Sequence, residues 1–181
     1  MKFSPYKTTS SRIAWACPWY SVRQDEIVTP DGKPGVYNTI ESPTSVWIVP
    51  VTHDGQIVLI YNYRYTINDW CWEVPAGSQE NGYSLLDTAR KELKEEVGGV
   101  AESMTQIGRF YTANGICNEV GYHFLATGVT LTEPNHEATE VMEIHTKPVD
   151  EVMAMVRNGR ITDGNSALAL LACEPLLQTL S

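Results

Sequence analysis

Between Val74 and Val97 the spacing of apolar residues changes from two to helical, and this switch constrains the fold of the 181-residue chain more than any other feature. Upstream of it the pattern favours strands. Residues 45–53 and 56–63 are rich in Val, Ile and aromatic residues and flank Asp54-Gly55, a two-residue hairpin signal. Residues 70–74 make a short strand that ends at Pro75-Ala76-Gly77. Downstream, Leu86, Ala89, Leu93 and Val97 recur at helical spacing. Ser84 with Asp87 forms a capping box before that helix, and Gly98-Gly99 ends it. A strand, a sharp bend and an amphipathic helix must therefore follow one another directly.

The rest of the chain is read the same way. Residues 12–28 and 36–41 are expected as strands joined through Thr29-Pro-Asp-Gly-Lys-Pro-Gly35, a cluster of turn formers. Pro50 cannot donate to a ladder, so its strand is expected to be interrupted or edge-facing there. Further strands are expected at 106–113, 120–130 and 141–146, then a helix over 149–157 between Pro148 and Gly159. A last, buried helix over 165–180 is expected to break at Pro175. The order is mixed α+β, not a regular βαβ alternation. The length suits one domain with a small appended element, divided here into 1–42 and 43–181.

A net charge of −9 argues against non-specific binding to nucleic acid or to an anionic membrane. No apolar run approaches the ~18 residues that a membrane helix needs, and Met1-Lys-Phe-Ser-Pro-Tyr-Lys lacks the apolar centre of a signal peptide. Cys17, Cys71, Cys117 and Cys173 lie far apart, which suits reduced thiols in a cytoplasm. Cys117 has no basic cluster to activate it, and His53, His123, His136 and His145 have no spacing that suggests a triad or a zinc site.

The helix carries Glu92, Glu95 and Glu96, spaced i, i+3, i+4. Three carboxylates then share an arc of about 100°, roughly 115° from the apolar stripe. Like charges so placed repel by a few tenths of a kcal/mol per pair. Oxygen ligands gathered on a rigid element suit a divalent cation such as Mg²⁺, which takes one or two carboxylates plus substrate phosphates. The plain alternative is an acidic, solvated helix face.

Gly77 followed by Lys91-Glu92-Leu93-Lys94-Glu95-Glu96-Val97-Gly98 resembles the Nudix box, GX5EX7REUXEEXGU with U aliphatic. Tyr63-Arg64-Tyr65, Trp72-Glu-Val-Pro-Ala-Gly77, Thr139-Glu140-Val-Met-Glu-Ile144 and Ile161-Thr-Asp-Gly-Asn-Ser166 extend the likeness to the ADP-ribose and ADP-sugar pyrophosphatase branch, over residues 18–175. The box is degenerate. Tyr83 stands where its first Glu belongs, Lys91 where its Arg belongs and Gly99 where an aliphatic residue belongs; Glu80 is three residues early and is not expected to substitute. Lys keeps the charge of Arg but not its planar fork.

The resemblance implies a Nudix-type α/β/α sandwich with a mixed sheet, plus a small N-terminal antiparallel sheet exchanged across a homodimer. It implies hydrolysis of the diphosphate of ADP-ribose or a related nucleotide sugar to AMP and a sugar phosphate. Glu92, Glu95, Glu96 and the Ala76 carbonyl would hold Mg²⁺, with Mn²⁺ as the alternative. Glu140 is the implied general base and Glu137 its understudy. Arg64 would contact a phosphate or terminal ribose, Glu73 the metals or a ribose, and Trp19 and Tyr37 would sandwich adenine. Two other readings stay open: the same chemistry on GDP-mannose or an oxidised nucleotide, and a non-catalytic module that binds a nucleotide sugar.

Overall fold

A reversal at Cys17-Pro-Trp-Tyr20, closed by the Cys17 N–H donating to the Tyr20 carbonyl at 3.0 Å, splits the first expected strand into two. The computed structural model describes residues 4–135 and 141–178. Its first three strands, β1 (Lys7–Ala16), β2 (Ser21–Val28) and β3 (Pro34–Glu41), form an antiparallel sheet in that order. β1 is exposed along its whole length. The chain up to Thr44 groups with Tyr111–Val120 into one compact unit, within which Ile40 bridges to Cys117 and the Ser42 N–H reaches the Asn118 side chain.

The second unit is built from Ser45–Phe110 and the chain from Gly121 onward. Its elements are β4 (Ser45–Thr52), β5 (Gln56–Arg64), β6 (Asp69–Glu73), β7 (Ala76–Ser78), α1 (Leu85–Val97), β8 (Gly99–Val100), β9 (Ser103–Tyr111), β10 (Val120–Leu131), β11 (Met142–Pro148), α2 (Val149–Arg157) and α3 (Gly164–Leu177). The sheet runs β11-β5-β4-β10-β8, with β6 on β5, β7 on β4 and β9 on β10. It is mixed, since β4 and β10 are parallel while β8–β10, β5–β11, β4–β5, β4–β7 and β5–β6 are antiparallel.

β4 is central and buried from Ser45 to Val51, so Pro50 neither interrupts it nor lies at an edge. The ladder absorbs the missing N–H instead: register with β10 slips between Ala126, opposite Pro50, and Val129, where Gly128 takes a φ of 62°. Both faces of the sheet are covered, which is why β4 and β5 read as near-continuous apolar runs. Val46, Ile48, Val58 and Ile60 pack with Ala89, Leu93 and Val97 of α1. The alternate residues Trp47, Val49, Val51, Ile57 and Leu59 pack with Val152, Met155, Leu170 and Leu177 of α2 and α3. This is the expected α/β/α sandwich, with the small N-terminal sheet beside it in sequence.

The caps of α1 are as the sequence suggested. Ser84 accepts from the Asp87 N–H at 3.1 Å and donates to its carboxylate at 2.6 Å. Gly98 turns left-handed at φ 65° and donates to Leu93 and Lys94. α3 continues through Pro175 to Leu177, against expectation. So near the C-terminus a proline removes one hydrogen bond and little else, and the Gln178 N–H still reaches Glu174 at 3.2 Å. Among the described residues no helix is long and apolar enough to cross a membrane.

Candidate active site

The bend between β6 and β7 is held from three directions. The Ile48 N–H of β4 donates to the Pro75 carbonyl at 2.8 Å. The Val74 N–H donates to Ser166 Oγ at 3.1 Å, and Ser166, fully buried, is fixed in turn at the start of α3, where Asp163 caps its N–H at 2.8 Å. From α1, Glu96 Oε2 accepts the Ala76 N–H at 2.8 Å. Glu96 is only 8% exposed, so this bond satisfies part of a carboxylate that burial would otherwise penalise.

Gly77 is needed for a different reason. A Cβ built there would lie closer than 3.0 Å to the Glu92 carboxylate, so the bare Cα is what lets that side chain rest against the bend. One turn further along, Glu95 Oε2 accepts from Lys91 Nζ at 2.7 Å. The same ammonium lies 3.9 Å from Glu92 and 3.1 Å from Glu80. The hydrogen bond to Glu95 is the main influence that keeps Lys91 protonated far above the ordinary lysine range, with Glu80 adding to it. Four carboxylates (Glu80, Glu92, Glu95 and Glu96) therefore gather around one ammonium and one backbone N–H.

Arg64, at the end of β5, forms a two-pronged pair with Glu73 of β6, at 2.8 Å from Nε and 2.5 Å from Nη2. Asn62 adds a bond to the same carboxylate at 3.3 Å. Glu73 is buried and Arg64 half exposed. The Glu73 hydrogen bond, then its charge and those of Glu96 and Asp163, raise the Arg64 pKa above its ordinary value. The guanidinium thus feels the charge of Glu96 on α1 as well as that of its partner Glu73.

The structure brings Glu92 and Glu96 to the Ala76–Gly77 bend, leaves Glu95 on the same helix paired with Lys91, and brings Arg64 and Glu73 to each other. Trp19 lies in the reversal between β1 and β2 and is 75% exposed, while Tyr37 of β3 donates its hydroxyl to the Gly115 carbonyl at 3.1 Å. Both belong to the N-terminal unit. Glu137 and Glu140 lie outside the described residues. The residues that flank them are anchored: the Asn135 N–H donates to the Glu95 carbonyl at 2.9 Å, and the Val141 carbonyl accepts from Tyr63 at 3.1 Å.

Sequence reasoning passed over Asn62 and Ser166, and it set Glu80 aside although Glu80 reaches Lys91. Ser166 could have been found as the capped first turn of α3; nothing in the sequence marks Asn62.

Among the described residues no three acidic, histidine or cysteine side chains converge on one point as closely as an enclosed metal ion requires. The donors nevertheless fit a hard divalent cation. They are all oxygens, they stand on a rigid helix, and they outnumber the positive charge beside them.

Comparison with known proteins now places the chain. Residues 41–166 match the model of the NUDIX domain, and residues 6–40 match that of the nucleoside diphosphate sugar hydrolase N-terminal domain. The chain belongs to the Nudix family and is a Nudix hydrolase. It is 28% identical over 172 residues to an ADP-ribose pyrophosphatase of Bacillus subtilis, covering 94% of this chain and 93% of the relative. It is 30% identical over 178 residues to an ADP-ribose pyrophosphatase of Mycobacterium tuberculosis, covering 92% and 82%. The crystal structure of an ADP compounds hydrolase superposes with a TM-score of 0.86 over 99% of this chain and 97% of that one, at 19% identity, a likeness of fold. Nudix hydrolases generally use divalent metal ions.

Proposed function

We propose that this chain hydrolyses the diphosphate of ADP-ribose or a related nucleotide sugar, giving AMP and a sugar phosphate, with Mg²⁺ as the cation and Mn²⁺ as its substitute. The observation that carries the reading is the meeting of Glu92 and Glu96 at the Ala76–Gly77 bend, with Glu92 seated where any Cβ would displace it and Glu95 beside them on the same helix. The relatives named as ADP-ribose pyrophosphatases support the substrate class.

Glu92, Glu95, Glu96 and the Ala76 carbonyl would hold the cation, which supplies charge neutralisation for a diphosphate that acidic side chains alone would repel. The remaining work belongs to the chain. Arg64, oriented by its pair with Glu73, directs its exposed edge at a phosphate or the terminal ribose. Trp19 and Tyr37 offer half-exposed or exposed rings on which adenine stacks. Water attacks one phosphorus in line and the bond to the bridging oxygen breaks. Glu140 takes the proton of that water, with Glu137 as the alternative acceptor. The enzyme is proposed to act as a cytoplasmic homodimer, in keeping with the exposed face of β1 and the free cysteines.

Incubation of the chain with a panel of nucleotide sugars and Mg²⁺, with the products identified by mass, tests this. AMP released from ADP-ribose, lost on chelation and in Glu92→Gln, supports the proposal. Faster turnover of GDP-mannose or an oxidised nucleotide replaces the substrate and keeps the chemistry. Tight binding of ADP-ribose with no AMP over hours replaces the hydrolase with a binding module. Glu140→Gln against Glu137→Gln decides the base, the true one losing kcat with KM little changed.

A further inference from the structure

Tyr83 and Lys91 stand where the box pattern has a Glu and an Arg, so no carboxylate at position 83 is available to Lys91. The loop before α1 resolves this. The Tyr83 N–H donates to the Glu80 carbonyl at 3.2 Å, and Gln79 Nε2 donates to the Tyr83 carbonyl at 2.7 Å. Gly82 sits at the third position of that turn with φ 92°, a conformation that favours glycine. The chain is thereby reversed, and Glu80, three residues early in sequence, is returned to α1 with its carboxylate 3.1 Å from Lys91 Nζ.

We propose that Glu80 is a positioning residue for the carboxylate cluster, holding the Lys91 ammonium to the outer side of Glu95 and Glu92 so that those oxygens keep the arrangement that receives the cation. The inference rests on the metal-dependent hydrolysis proposed above. Its physical basis is competition. Lys91 touches Glu95 at 2.7 Å and stands 3.9 Å from Glu92, so with Glu80 gone its charge has only the cation's own ligands to settle on. Glu80 is 60% exposed, and an exposed ion pair contributes little to folding. A role confined to stability would therefore leave nothing to measure, whereas groups that orient metal ligands typically change affinity or rate by ~10–100-fold.

The test uses the full chain and three substitutions. Glu80→Gln is expected to weaken Mn²⁺ binding, read by electron paramagnetic resonance of the free ion, and to lower kcat on ADP-ribose, each by ~10-fold or more. KM for ADP-ribose and the melting temperature are expected to stay near those of the parent. In a Lys91→Gln background the same change is expected to have less than about a twofold effect, because Glu80 acts through Lys91. Tyr83→Glu, which puts a carboxylate back at the box position, is expected to restore Mn²⁺ binding to Glu80→Gln.

Parent-like Mn²⁺ binding in Glu80→Gln overturns the proposal, as does an equal loss in the Lys91→Gln background. If the parent binds Mn²⁺ but releases no AMP, the hydrolase reading fails and the Mn²⁺ titrations still decide the role of Glu80. If the parent binds no Mn²⁺, both fall.

Discussion

His123→Phe isolates the effect of one ionisable ring inside the second unit. His123 sits on β10 with 3% of its surface exposed and stacks on Phe110 at 4.3 Å between ring centres. Its Nε2 has no hydrogen-bond partner among the described residues. Burial pulls the imidazole pKa from 6.5 down to about 4. The folded state thus resists a proton that the unfolded chain accepts. Above pH 6.5 neither form is charged and stability is unaffected; as pH falls from 6.5 toward 4 the unfolded state gains protons and stability is lost. A gap of about 2.5 in pKa, at about 1.36 kcal/mol for each, gives a full loss of ~3 kcal/mol, of which ~2 kcal/mol has gone by pH 5.

Carboxylates elsewhere titrate alike in both proteins, so the difference in slope belongs to His123. Phe keeps a stacked ring on Phe110, and any packing penalty is independent of pH. Urea unfolding at pH 7, 6 and 5 should show the parent losing ~2 kcal/mol more than His123→Phe over that range. Parallel profiles would refute the reasoning. So would an imidazole resonance that titrates near 6.5 in the folded protein.

Three other substitutions separate fold from site. Gly77→Ala puts a methyl where the Glu92 carboxylate rests; the far end of that side chain can swing away, so melting should change little while kcat/KM for the diphosphate substrate falls by ~100-fold, and a parent-like rate would dissociate Glu92 from the chemistry. Gly98→Ala does the opposite. It forces an L-residue to φ 65° and drives a Cβ closer than 3.0 Å to the Thr132 carbonyl, so unfolding experiments should report a loss of ~2 kcal/mol or more. Arg64→Ala strands the buried Glu73 carboxylate on Asn62 and should destabilise by ~1–3 kcal/mol, the exposure of Arg64 keeping the figure modest. Arg64→Ala combined with Glu73→Ala should cost less than the two singles together, and strict additivity in urea melts would show that the pair is not coupled.

How much of this was legible in the sequence depended on whether local pattern or long-range pairing decided the outcome. α1 was readable to its caps, because Ser84, Asp87 and Gly98 act on their own neighbours and the apolar stripe needs no partner to be recognised. The sandwich was expected from the family resemblance, and the unbroken apolar runs of β4 and β5, which require cover on both faces, agree with it. Pro50 misled because its effect depends on what pairs with it. A slip in β10 near Gly128 accommodates it, and β10 lies far along the chain, beyond α1. The Cys17–Tyr20 reversal was missed because it lacks glycine and its proline lies within a run of aromatic residues that reads as strand.

The site divides along the same line. Glu92, Glu95 and Glu96 stood out by helical spacing, and Ala76 by the family resemblance alone. Arg64 and Glu73 were each singled out, but their bond to one another depends on the β5–β6 register, which pairs Arg64 with Asp69 and Ile60 with Glu73 and so lays the long Arg side chain back along the strand. Glu80 shows the limit of counting. Measured from Gly77 it falls three positions short of the box carboxylate, and on a continuous helix it would lie ~16 Å along the axis from Lys91, out of reach. A turn with a left-handed glycine shortens that path through space without changing the count. A carboxylate's reach is set by the fold of the backbone between it and its partner. Motif spacing therefore specifies a site only where the intervening residues are confined to one regular structure, as they are from Lys91 to Glu96 and are not from Gly77 to Ser84.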